Sequence, residues 1–147
     1  MRKRAGFTII EMLIVMAVIA ILIAIAVPSF RAIQTQAWRA QCQGDTKTIK
    51  IALETYYMKR GAFPSATPLG QYQTDLLNEV PPVIEKNLYD PFGATATTMY
   101  RYVLSNNGKY YLVYSVAESG TGAATISNAG IISVTAGDPI YASNGRM

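Results

Sequence analysis

Hydrophobic and polar positions along this chain follow three successive rhythms. From Met12 to Val27 sixteen consecutive residues are apolar, and Phe7, Ile9 and Ile10 extend the run upstream. A segment of about 20 apolar residues can cross a bilayer core as a helix. Helix is the only reading for a lone spanning segment, because it must satisfy its own backbone hydrogen bonds. From Ser29 to Lys59 small or apolar residues recur every three or four positions, at Ile33, Ala37, Ala40, Gly44, Ile51, Ala52 and Tyr56, with a gap around Thr48. That period predicts more helix, with this stripe turned toward a globular head. Pro28 stands between the halves, where its missing N–H predicts a kink or local opening rather than an end. Arg60-Gly61, with Pro64 beyond, predicts the stop.

Past Gly61 the helical period disappears. A polar, proline-containing stretch to Lys86 reads as a loop lying over a sheet, with one short helical turn at Asp75-Leu76-Leu77-Asn78. Val80-Pro81-Pro82-Val83 cannot lie inside a regular helix. Tyr89-Asp90-Pro91-Phe92-Gly93 is a turn signal. The third rhythm then begins, with alternation over Tyr100–Leu104 and again over Lys109–Val116. Asn106-Asn107-Gly108 between these runs predicts a hairpin. Further strand candidates are Ala124–Ile126, Gly130–Val134 and Pro139–Tyr141. The pattern predicts an α+β fold, a long kinked N-terminal helix packed on a small antiparallel sheet of about four strands.

Charge changes this picture at two places. Arg2, Lys3 and Arg4 precede the apolar run and place that end in the cytoplasm, with the rest of the chain outside. Between Arg4 and Arg31 the only charge is Glu11, which is unfavourable by a few kcal/mol in a spanning helix and calls for a partner. No basic residue lies on its helical face, so the expected partner lies outside the segment. The net charge of +4 falls to +1 without the three leading cations, so the basic balance argues little for nucleic acid.

The remaining chemistry is sparse. The chain has no histidine, which excludes Ser-His-Asp and Cys-His catalysis and histidine-bound zinc. An enzyme is not expected. The single cysteine, Cys42, cannot form an intramolecular disulfide and reads as a small packed residue. Gly120-Thr121-Gly122 lacks the lysine and helix of a phosphate loop. Six tyrosines from Tyr89 to Tyr114 suggest either a stacking platform for single-stranded nucleic acid or cross-strand aromatic pairs, the commoner use.

A short basic leader ending in Gly6, then Phe7, Thr8 and Glu11 ahead of a long apolar helix, resembles the class III signal of type IV pilins and type II secretion pseudopilins. The resemblance implies cleavage by a prepilin peptidase between Gly6 and Phe7, and methylation of the new N-terminus at Phe7. It also implies assembly roles for Glu11 and for the helix-breaking Pro28. Ala52-Leu53, Tyr56-Tyr57, Gly61-x-Phe63-Pro64, Asp90-Pro91-Phe92-Gly93, Tyr100-x-Tyr102 and Tyr111-x-Val113-x-Ser115 look like the head of the major pseudopilin, more loosely. Those pseudopilins bind calcium in a C-terminal loop. Here the Asp-rich tail is missing, and only Glu118 and Asp138, with Asp90 beside them, offer carboxylates. No cofactor is therefore expected, with calcium as a weak candidate.

On this reading residues 1–6 are a leader, 7–30 a transmembrane and filament-core helix, and 31–147 a pilin-like head. The chain would sit in the inner membrane and then polymerise into a helical filament, periplasmic or extracellular. Its implied partners are further copies, other pilins, the peptidase and an inner-membrane assembly platform. Such filaments serve secretion, adhesion, twitching motility or DNA uptake (competence). The alternative is a minor pilin whose tyrosine hairpin binds DNA or a surface. An ordinary secretory signal ending at Ala24-Ile25-Ala26, or a simple signal anchor, would leave Glu11 unexplained.

Overall fold

Both helical rhythms merge into one element. In the computed structural model, which describes residues 6–146, helix α1 spans Ile9–Arg60. The basic cluster Arg2-Lys3-Arg4 lies outside the described residues. The chain divides into two compact units, one ending at Gln36 and the other beginning at Ala37.

In the first unit every large apolar side chain from Phe7 to Ile33 stands exposed. By length and composition this helix can cross a membrane. The helix runs through Pro28 without interruption. One residue on, the Ser29 hydroxyl donates to the Ile25 carbonyl at 3.3 Å.

In the second unit α1 ends as its sequence predicts. Gly61 adopts a left-handed conformation (φ 73°) and its N–H bonds the Tyr57 carbonyl at 2.8 Å, a glycine C-cap. The head-facing stripe, however, differs from the predicted one. Cys42, Thr46, Ile49, Ala52 and Leu53 are the buried residues of α1, with Tyr56 packed beside them. Ala37, Ala40, Gly44 and Ile51 face outward and are exposed, as is Ile33 in the first unit. Both faces carry small and apolar residues, so period alone could not choose between them. Burying Ile49 and Leu53 completely contributes about 1.5–3 kcal/mol each.

The stretch expected to be a loop contains helix α2 (Gln71–Leu77). Tyr72 and Leu76, one turn apart, enter the core, and the buried Gln73 amide accepts from Leu88 N (2.7 Å) and donates to Leu88 O (2.9 Å). This segment is therefore part of the interior rather than a cover.

Five strands follow: β1 (Arg101–Leu104), β2 (Tyr111–Ser115), β3 (Ala123–Ile126), β4 (Ile132–Ala136) and β5 (Ile140–Ser143). They form two antiparallel sheets rather than one, a three-stranded sheet ordered β1-β2-β5 and a separate β3-β4 hairpin. The predicted β1–β2 hairpin forms, with Leu104 opposite Tyr111. Its connection is longer than a two-residue turn: Ser105 N bonds Tyr110 O, and Gly108 N bonds Ser105 O.

Strand β2 is buried along its whole length because both its faces are covered. Tyr111 and Val113 pack with α1 and α2, together with Tyr100 and Tyr102. Leu112 and Tyr114 pack with Ala124 and Ile126 of the hairpin. Tyr100, Tyr102, Tyr111 and Tyr114 are thus core residues, whereas Tyr110 is half-buried and Tyr89 exposed. Tyr102 and Tyr111 stand 6.5 Å apart, and the Tyr102 hydroxyl donates to Pro64 O at 3.1 Å. A stacking platform would need these rings at the surface.

Asp90 joins the layers. It is buried, and its carboxylate accepts from Ser115 Oγ (2.8 Å), Val116 N (2.9 Å) and Phe92 N (3.0 Å). The Cys42 thiol lies 3.7 Å away, and its pKa is pushed up chiefly by burial, which suits an inert packed thiol. Asp90→Ala would strand two backbone donors and a hydroxyl in the interior. At about 1–3 kcal/mol for each unsatisfied group, a loss of about 3 kcal/mol or more is expected in urea unfolding of the head. A change below about 1 kcal/mol would show that water replaces the carboxylate.

Candidate functional site

The first turn of α1 gathers the residues that the sequence singles out. Thr8 precedes the helix, and its carbonyl accepts the first helical bond, from Met12 N at 3.3 Å. Its hydroxyl accepts from Glu11 N (3.3 Å), while Glu11 Oε2 accepts from both Thr8 N and Thr8 Oγ1 at 3.0 Å. This reciprocal arrangement is a capping box, in which two otherwise unpaired backbone donors at a helix start are satisfied together.

Glu11 thus has a hydrogen-bonding partner, Thr8, within its own segment, while the partner expected for its charge is a different one. Thr8-x-x-Glu11 has the spacing of a capping box, a signal independent of the charge on Glu11. Gly6 and Phe7 lie outside the helix, with Phe7 77% exposed and nothing within 4 Å of where a Gly6 Cβ would be. Gly6, Phe7 and Glu11 are thus gathered within one turn of the helix start, while Pro28 lies farther along α1.

Glu118 and Asp138 are brought together elsewhere, around a residue that the sequence had not marked. Arg39 Nη2 lies 3.3 Å from Glu118 Oε2, and Nη1 lies 4.0 Å from Asp138 Oδ2. Asp90, the third carboxylate considered for calcium, is committed to its own donors. Calcium takes six to eight oxygens, and among the described residues no three Asp, Glu, His or Cys side chains are placed to hold a metal ion. Nothing in the sequence near Arg39 points to two loops about 80 and 100 residues downstream.

Comparison with known proteins bears on the first of these two sites. Residues 1–27 match the prokaryotic N-terminal methylation motif. The type II secretion system core protein G of Pseudomonas aeruginosa is 29% identical over 128 residues, covering 81% of this chain and 87% of that protein. The chain is pilin-like. The type IV major pilin protein PilE1 of Neisseria gonorrhoeae is 34% identical over 65 residues, 44% of this chain and 30% of that pilin. No solved structure matches significantly. This pilin-like chain has the α+β fold that its resemblance implied, a long N-terminal helix on small antiparallel sheets.

Proposed function

We propose that this chain is a structural subunit of a type II secretion pseudopilus, or of a closely similar type IV pilus, assembled from the inner membrane through α1. The observation that carries the reading is the methylation motif on a helix whose apolar side chains are exposed from Phe7 to Ile33. Exposed apolar surface on this scale calls for lipid before assembly and for other helices afterwards. The likeness to the secretion protein covers 81% of the chain and so extends into the head, whereas the pilin likeness covers less than half of the chain. That difference favours the pseudopilus.

In the proposed sequence, a prepilin peptidase cuts between Gly6 and Phe7 and methylates Phe7. Glu11 then neutralises the Phe7 amine of a neighbouring subunit within the apolar bundle. Both Thr8 bonds use Oε2, which leaves Oε1 for that partner. The outward residues Ala37, Ala40, Gly44 and Ile51 supply a second uncharged helix face on which neighbouring subunits can pack. The minor-pilin alternative loses its main support, because Tyr100, Tyr102 and Tyr111 are buried.

Intact mass of the chain from sheared surface material and from inner membrane of its own cells tests the reading. A chain starting at Phe7 with one added methyl group is expected, retained with the cell envelope. The same mass in sheared filaments would make it a pilus subunit. A chain still beginning at Met1, or beginning at Val27, would overturn the proposal.

A further inference from the structure

We infer that Arg39 closes the C-terminal loop of this head, its guanidinium holding together two loop segments that a calcium ion would otherwise bridge. The inference concerns the head alone and does not depend on which filament the chain builds.

Residues 117–122 leave β2, and residues 137–139 enter β5. Arg39, Ala117, Glu118, Ser119 and Asp138 line one shallow pocket where the two segments meet α1. The guanidinium donates from Nη2 to Glu118 Oε2 at 3.3 Å and places Nη1 at ion-pair distance, 4.0 Å, from Asp138 Oδ2. The segments also meet backbone to backbone. A Cβ on Gly137, which has φ +61°, would lie 2.9 Å from Ser119 Oγ and 3.0 Å from Gly122 Cα. The base of the loop is fixed independently, through Val116 N on Asp90 and Gly122 N on Val116 O at 2.8 Å.

An ion between Glu118 and Asp138 would have to displace the guanidinium or lie against a like charge. It would find two carboxylates, of which Asp138 is 91% exposed, and, among the described residues, no third acidic side chain placed with them. The loop is closed electrostatically by the chain's own cation.

The test uses the full chain in detergent micelles. Thermal midpoints in EDTA and in excess calcium are expected to agree within about 1 °C. A structural site filled a hundredfold above its Kd would instead raise the midpoint of a domain this size by about 10 °C, and such a rise overturns the inference. In limited proteolysis, Arg39→Met is expected to speed cleavage within residues 117–122 by about fivefold, as for loss of about 1 kcal/mol of exposed ion pairing, with or without calcium. The double variant Glu118→Gln/Asp138→Asn leaves α1 untouched and should give the same acceleration. Wild-type cleavage rates in that double variant would overturn the inference even if Arg39→Met failed to fold.

Discussion

Replacing Glu11 with leucine is expected to lower filament yield by about a hundredfold or more, while the amount of chain in the membrane stays near wild type. Removing one partner of a buried ion pair costs about 3–5 kcal/mol, because the other charge is left unpaired in an apolar setting. Here the stranded group would be the Phe7 amine of the neighbour. The capping box gives Glu11 a second role that must be separated from the first. Glu11→Gln keeps an oxygen that can accept from Thr8 N, since glutamine also serves in capping boxes, but it removes the charge. It should assemble as poorly as Glu11→Leu. Thr8→Ala leaves the charge and removes the cap hydroxyl, at about 1 kcal/mol, and should lower yield only several-fold. Quantifying filaments by immunoblot of the envelope and sheared fractions reads all three. Wild-type assembly by Glu11→Gln would reduce the residue to a helix cap.

The second large effect is alkaline unfolding of the head. Burial, the leading cause in each case, raises the pKa of Tyr72, Tyr100, Tyr102 and Tyr111 well above the usual phenol value, with Asp45 adding to the shift at Tyr100 and Glu54 at Tyr111. In the unfolded chain these phenols ionise near pH 10, whereas in the folded head they remain protonated. Their contribution is therefore complete below about pH 10 and is lost as the pH rises beyond it. Each tyrosine held neutral should cost about 1.4 kcal/mol per pH unit. Four together give about 5 kcal/mol per unit, comparable to the whole stability of many domains. A steep, reversible loss of tertiary signal from Trp38 is expected just above pH 10. Tyr102→Phe should reduce that slope by about a quarter. A urea-unfolding stability that stays level between pH 10 and pH 11 would mean that these phenols reach water.

The stop of α1 at Gly61, the β1–β2 pairing and the apolar first segment were legible in the sequence because each rests on local chemistry. The orientation of α1 on the head was not. Ala37, Ala40, Gly44 and Ile51 have the composition of a packed face, while the true inward face includes Cys42, a packed residue that the stripe left out, and the polar Thr46. Thr46 is tolerated there because its hydroxyl bonds the Cys42 carbonyl at 2.7 Å. The last turn of helix α2, at Asp75-Leu76-Leu77, was legible, but its first turn was hidden behind Pro68 and Gly70, although Gly70 is where the helix begins: its carbonyl accepts from Gln73 N and Thr74 N. The division of strands into two sheets depends on β5 reaching past β3 and β4 to pair with β2, a long-range choice with no local signal. At the sites, spacing revealed Glu11 and its surroundings, whereas Arg39 joins groups that meet only after folding.

The place where α1 begins has a consequence for proteolysis. Peptidases act on chain that can lie extended across their active site, and a bond inside a helix must first be unwound. Thr8 and Glu11 fix the first helical residue at Ile9, so the Gly6–Phe7 bond remains non-helical, two residues short of a rigid rod. The cap thus acts as a ruler for the proposed cut. It holds the substrate bond at a set distance from the apolar segment, and the new amine would emerge beside the positive end of the helix dipole. A cation there is disfavoured by its own helix, and the carboxylates that offset this cost, its own Glu11 on Thr8 and that of a neighbour, would set where the new terminus settles.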